Sequence, residues 1–298
     1  MSICYNSKCQ GDNKWDWNHL KKNKKKVKKS VDKPYKIEYN KRVVRNRKEN
    51  KTMARKKELF LVIDTETTNT IEQPLCYDIG YAICDRKGNI YEERSYVVAE
   101  MFIDHKDLMK SAYYAEKLPQ YWEDLKNGKR EMKSIFNIRK QIKADLKKYS
   151  IRKVGAYNMG FDKRALNNTI RYLSKSRFRW FFPFGTKFFC IWNMACQVVM
   201  NKATYIKFAL KNGLESPAGN IQTSAESCYK FLKNQIDFVE SHTGLEDVKI
   251  EVEILAQCYK EHKKMTTEIS PSCWRIPQRK RKEMDLKKTF KKGVDKEN

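Results

Sequence analysis

Residues 58–68 read ELFLVIDTETT, an almost unbroken apolar run that closes on two carboxylates, Asp64 and Glu66. Its short length and its Val, Ile and Phe content predict a largely buried strand. Side chains alternate along a strand, so Asp64 and Glu66 share one face and Thr65 takes the other. Two carboxylates held this way repel each other unless a cation lies between them. Taken alone, the same residues also read as the place where a strand ends and a solvated turn begins.

Outward from this run, YDIGYAICD (77–85), a turn at RKGN and IYEERSYVVA (90–99) predict two further strands in an antiparallel start. The stretch from Phe102 to Lys133 is helix-like but broken by Pro119 and Gly128, and its aromatics read as a surface helix packing against the body. In SIFNIRKQIKADLKKYS (134–150), Ile135, Ile138, Ile142 and Leu146 recur at helical spacing. RKVGAYN (152–158) predicts a short strand, and MGFDKRALNNTIRYLS (159–174) a helix that buries Phe161, Leu166, Ile170 and Leu173. WFFPFG (180–185) reads as core or a buried turn, TKFFCIW (186–192) as a strand and NMACQVVM (193–200) as a helix. Two more helices follow, around SAESCYKFLKN (224–234) and LEDVKIEVEILAQCYKEH (245–262), the latter with Val248, Val252, Leu255 and Tyr259 on one stripe. This order predicts an α/β fold, a mixed β-sheet flanked by α-helices, with no internal repeat.

Composition bounds the partners. Against 36 Asp and Glu the 298 residues carry 63 Lys and Arg, a formal net charge of +27, which points to a polyanion such as nucleic acid. Residues 1–57 include KKNKKKVKKS and show no useful periodicity, so they read as a basic, disordered N-terminal arm that tethers phosphates. Residues 58–265 read as the folded domain and 266–298 as a basic C-terminal tail. No run approaches the roughly 18 apolar residues of a spanning helix and the N-terminus lacks a signal-peptide core, so a cytoplasmic protein without a membrane partner is expected. The 9 cysteines, several in apolar segments, fit reduced packing thiols rather than a disulfide framework. Cys4, Cys9 and His19 match no standard zinc spacing, and Trp15 and Trp17 are a weak signal for base stacking.

Two further segments carry acids. In VGAYNMGFD (154–162), Asp162 opens a helix directly after a strand, where free backbone N–H groups favour a carboxylate for structural reasons alone; Asn158 precedes it. In VESHTGLEDVKIEVEI (239–254), five carboxylates surround His242. Asp247 falls in the first turns of the last helix beside its apolar stripe, whereas Glu246, Glu251 and Glu253 read as solvated helix-face or first-turn residues. A lone loop histidine is ordinarily solvated. Together, Asp64, Glu66, Asp162 and Asp247 at one sheet edge supply hard oxygen ligands for two Mg²⁺ or Mn²⁺ ions, with His242 placed to take a proton from water. One central His without a Cys or His cluster argues against zinc hydrolysis.

The order DTET, NMGFD, HTGLED, on a strand, a strand-to-helix junction and a late helix, resembles the DEDDh group of DnaQ-like 3′-to-5′ exonucleases over about residues 58–265. His242 precedes Asp247 by five residues as in that family's HxAxxD pattern, with Gly244 where the pattern often has Ala. The resemblance implies an RNase H-like fold. It also implies two metal ions held by Asp64, Glu66, Asp162 and Asp247, and His242 as general base. The implied reaction releases nucleoside 5′-monophosphates from the 3′ end of single-stranded DNA. Thr65 and Thr67 would lie near the terminal nucleotide, and Asn158 would orient it. RNA or short oligonucleotides are an alternative substrate, a DNA polymerase acting in trans a candidate partner for proofreading, and a non-catalytic nucleic-acid-binding or polymerase-docking module the alternative of a different class.

Overall fold

The structure, a computed structural model, describes residues 57–112 and 114–294, with side chains described as far as residue 286. The basic arm, with Cys4, Cys9, Trp15, Trp17 and His19, lies outside the described residues.

Six strands form one mixed sheet in the order β4-β3-β2-β1-β5-β6. They are β1 (Leu59–Thr68), β2 (Leu75–Asp85), β3 (Ile90–Val98), β4 (Glu131–Lys133), β5 (Lys153–Ala156) and β6 (Lys187–Cys190). β1, β2 and β3 pair antiparallel in succession, while β5 joins β1, β6 joins β5 and β4 joins β3 in parallel. The β2–β3 turn is made by Asp85, whose carboxylate accepts the backbone N–H groups of Lys87 and Asn89, and by Gly88 at φ 83°.

Alternation on β1 sorts the helices into two layers. Leu61 and Ile63 face one core, which includes Ile135, Ile138 and Ile142 of α3 (Ile135–Lys148) and Ala165, Leu166 and Ile170 of α4 (Met159–Ser174). Phe60 and Val62 face the other, built with α5 (Ile191–Val198), α6 (Ala203–Lys211), α7 (Ala225–Lys233) and α8 (Gly244–Lys260). The stripe expected on α8 is there: Val248, Val252 and Leu255 are buried, each such side chain contributing roughly 1.5–3 kcal/mol by leaving water. Antiparallel strands continued by parallel ones, with helices on both faces, make the RNase H-like α/β arrangement expected from the sequence.

Several local expectations are corrected. Pro119 does not break a helix: it lies in the first turn of α2 (Leu118–Lys126), where its missing N–H costs nothing, and the short α1 (Lys106–Met109) precedes it. The three-residue β4 was not foreseen. In WFFPFG, Phe181 and Phe182 are core, but Trp180 and Phe184 are exposed. The basic segment after residue 266 forms α9 (Arg275–Val294), and Ile276 and Met284 pack against the α5–α8 core beside buried Cys273. The seven described cysteines are free and buried. Among the described residues no helix is long and apolar enough to cross a membrane.

Candidate active site

β1 carries Asp64 and Glu66 out of the core on the face shared with Phe60 and Val62, which is the α8 face. Thr65 points to the α4 face, and its Oγ1 donates to Asp162 Oδ1 at 3.0 Å. Asp162 sits in the first turn of α4, where the free N–H groups favour a carboxylate. A strand end therefore gathers acids from both layers. Carboxylate oxygens of Asp64, Glu66 and Asp247 lie within 4.8 Å of one another.

Asp247 reaches β1 because α8 begins almost in contact with β2. Gly80 is the register partner of Asp64, and a Cβ on it would fall 2.1 Å from the Gly244 carbonyl carbon; one on Gly244 would fall 2.6 Å from Gly80 N. Only two glycines permit this approach. The Gly244 N–H donates to Asp78 at 2.9 Å, and Asp78, fully buried, also accepts the Tyr121 hydroxyl at 2.7 Å and pairs with Arg130 at 3.2 Å. Arg130 extends the network to Asp124 and Glu246, and Glu246 accepts from Thr243 Oγ1 at 2.7 Å. Ahead of the helix, Ser241 Oγ donates to Asp247 at 3.1 Å and the Lys117 ammonium donates to the Ser241 carbonyl. His242 adopts φ 51°, and its ring stacks on Tyr114 with centroids 4.2 Å apart and planes 11° from parallel.

These groups line one cavity of about 390 Å³. Asp64, Glu66, Asp162, His242 and Asp247 all border it, as do Thr65 and Asn158; Thr67 lies past a bulge in β1, half-buried, outside the lining. Phe161, expected in the core, lines the cavity instead. Among the lining residues that the sequence reading missed are Tyr114, Glu240 and Glu251. Glu251 corrects an expectation outright, being 2% exposed rather than solvated, and its Oε2 has no hydrogen-bond partner. A signal for it existed, since it follows Val248 by three residues and precedes Leu255 by four and so belongs to the buried stripe. Glu246 is held by Arg130 rather than solvated alone, while Glu253 stays half-exposed beside Lys233.

The charge pattern is strained. Burial pushes Asp64 well above the ordinary carboxylate range, and the charges of Glu251, Asp162, Glu66 and Asp247 push it further in that order. Burial raises Glu66 to about 8, with Asp78 and Asp247 adding to the shift. Asp162 and Asp247 reach about 7, mainly by burial, despite the hydrogen bonds from Thr65 and Ser241 that favour their charged forms. Glu240 rises to about 8 through burial and the neighbouring Asp247. Burial lowers His242, and Lys117 lowers it again. Among the described residues no Lys or Arg ion-pairs with Asp64, Glu66, Asp162, Asp247 or Glu251. Crowded oxygen donors fit a divalent cation, and Asp64, Glu66 and Asp247 are the acids grouped closely enough to hold one.

No protein-family model matches the chain, and no curated protein matches it. Solved structures do. E. coli Exonuclease I in complex with a dT13 oligonucleotide is 14% identical with TM-score 0.44, covering 67% of this chain and 40% of that one. The same enzyme with a dA16 oligonucleotide is 12% identical with TM-score 0.43, covering 67% and 41%. Its zinc-bound form with single-stranded DNA is 12% identical with TM-score 0.41, covering 66% and 39%. The matched region thus spans about two fifths of the length of these structures.

Proposed function

We propose that this chain is a divalent-metal-dependent 3′-to-5′ exonuclease that releases nucleoside 5′-monophosphates from single-stranded DNA. The observation that supports it is the convergence of Asp64, Glu66, Asp162 and Asp247 with His242 on one cavity, without a cationic side chain paired to any of the acids. A phosphodiester is repelled from such a cavity unless cations enter with it. Asp64, Glu66, Asp162 and Asp247 would hold two Mg²⁺ or Mn²⁺ ions, which supply positive charge to the phosphate and acidify water when bound.

The chain's own residues do the rest. His242, kept neutral near pH 7 by burial and by Lys117, accepts the proton of the attacking water. Tyr114 holds the imidazole plane by stacking. Asn158 lines the cavity without capping α4 with its side chain and so presents an amide for the terminal nucleotide. Thr65 positions Asp162. The net charge of +27 draws the phosphate backbone to a protein whose cavity is acidic.

The test is the full chain with 5′-labelled single-stranded oligothymidylate and Mg²⁺ or Mn²⁺. The expected result is a ladder shortening from the 3′ end with nucleoside 5′-monophosphate released, abolished in Asp64→Ala. Internal cuts, absence of shortening with either metal, or activity unaffected by Asp64→Ala would overturn the proposal. An RNA oligomer in parallel decides the sugar preference.

A further inference from the structure

Residues 163–214 contain Lys and Arg throughout and neither Asp nor Glu, the longest acid-free stretch of the chain. Within it, the loop between α4 and β6 puts aromatic rings in water: Phe178 is 76% exposed, Trp180 57%, and Phe184 fully. The loop is anchored. Its Phe181 and Phe182 are buried in the core, and the Phe181 N–H donates to Asn167 Oδ1 at 2.9 Å. Arg139 Nε donates to the Phe181 carbonyl at 2.7 Å and Arg171 Nε to the Arg179 carbonyl at 3.1 Å. Rings held in water by an anchored loop form an apolar patch that suits a ligand rather than a solitary fold. Cations accompany them. Arg171 lies 4.2 Å from the Trp180 ring centre, Lys175 4.5 Å from that of Tyr172 and Arg177 4.8 Å from that of Phe178. The same pairing runs back along the outer face of α4, where exposed Arg164 lies 5.5 Å from the ring of Phe161, which lines the cavity. Among the described residues, Arg164, Arg171, Lys175, Arg177 and Arg179 form no ion pair; Arg164 and Arg171 donate to backbone carbonyls instead.

We propose that the outer face of α4 and the loop after it form a track for single-stranded DNA that ends in the cavity. Arg164, Lys175, Arg177 and Arg179 meet phosphates, and Phe178 and Trp180 stack on bases. From Phe161 to Lys175 the helix rises about 21 Å, which spans roughly six nucleotides at ~3.4 Å each. This deepens the proposed function and rests on it only for the direction of the strand, whose 3′ end would lie in the cavity. A second copy of the chain brings the same positive charge to this face and is repelled from it. Continuity with the cavity favours an extended strand over an anionic membrane, which would meet the loop but not the helix face leading inward.

The experiment measures binding of 5′-fluorescein-labelled 20-mer oligothymidylate to the full chain by anisotropy, in EDTA so that no strand is cut. The variants are Phe178→Ala/Trp180→Ala and Arg177→Gln/Arg179→Gln. A charge-matched control, Lys207→Gln/Lys211→Gln, removes two exposed cations from α6 in the other layer. The expected result is that each loop variant binds about tenfold more weakly than wild type, whereas the control stays within about twofold. Removing the two arginines also lowers the slope of log affinity against log salt by about 1.4, at about 0.7 per phosphate contact, and removing the rings leaves the slope in place. Thermal melts equal to wild type show that these exposed changes spare the fold. Unchanged affinity in both loop variants, or an equal loss in the control, overturns the inference while the nuclease assay above still decides the proposed function. Loop variants that keep the oligonucleotide but lose phosphatidylserine vesicles bound by wild type assign the face to a membrane and overturn it too. A wild type that holds DNA through the loop yet shortens none with Mg²⁺ or Mn²⁺ overturns the proposed function and leaves the track standing.

Discussion

Two sets of acids are held against the same sheet and are partnered differently. Asp78 on β2 has no exposure at all, but Arg130, the Tyr121 hydroxyl and the Gly244 N–H meet its oxygens. Asp145 on α3 is similar, accepting from Tyr81 at 2.7 Å, Gln141 at 3.1 Å and Arg94 at 3.2 Å. Glu66, the register partner of Asp78 on β1, belongs to the other set: Asp64, Glu66, Asp162, Asp247 and Glu251 line one cavity with two neutral hydroxyl donors, Thr65 and Ser241, as their side-chain partners. Burial is common to both sets. What separates architecture from chemistry is whether the counter-charge belongs to the protein, and the second set leaves that place for a ligand.

The sharpest way to break this contrast is a pair of isosteric changes. Asp64→Asn should lower nuclease rate on the order of 10³-fold while leaving the metal-free melting temperature equal or higher, since it relieves repulsion. Asp78→Asn should cost about 3 kcal/mol of stability, because Arg130 and the Gly244 N–H lose a charged acceptor. Initial rates and denaturant unfolding of both variants check the pair; similar stability losses in each would erase the distinction.

Next in size is Gly244→Ala. The added Cβ would sit 2.6 Å from Gly80 N, so the start of α8 must shift away from β2. A loss of about 1–3 kcal/mol, with weakened Mn²⁺ binding as Asp247 moves, is expected in denaturant melts and metal titration. An unchanged melt would show that the two glycines are not what sets the approach.

A smaller effect is read in the pH dependence of the cavity acids. Asp162 and Asp247 titrate near 7 and Glu66 near 8 in the fold, above their unfolded values, so the folded state holds extra protons between about pH 4 and 8. The stability from these groups is complete below the unfolded pKa and is lost as pH rises through the folded one. The metal-free melting temperature should therefore fall on the order of 5 °C from pH 5 to 8, and saturating Mg²⁺ or Mn²⁺ should flatten the profile. Melts that rise with pH, with or without metal, would contradict it. Smallest is Tyr114→Ala, expected to reduce activity by no more than about tenfold through a looser His242 ring, with the unfolding midpoint unchanged.

Much of this was legible because the decisive residues lie in short, patterned segments. The apolar run into Asp64 and Glu66, the strand-to-helix step before Asp162 and the stripe beside Asp247 each declare their element locally. The partners of those residues do not. Nothing in the text near Gly80 announces Gly244, and the Asp78–Arg130 network joins β2 to residues that come into register only in the folded sheet. Glu251 was misread for a subtler reason. Its spacing put it on the buried stripe, but a charged residue on a helix is ordinarily solvated, and only the acids across from it reveal why this one is not. β4, with three residues, is too short to carry a period.

The β1–α8 contact also has a temporal side. Asp64 and Glu66 are made early in synthesis, and Asp247 and Glu251 arrive only with the helix that closes on β1 and β2 after every strand has been laid down. A nascent chain that has completed its sheet but not α8 holds Asp64, Glu66 and Asp162 and lacks His242, Asp247 and Glu251. The acid set is therefore complete only once α8 has been made and has closed on β1 and β2.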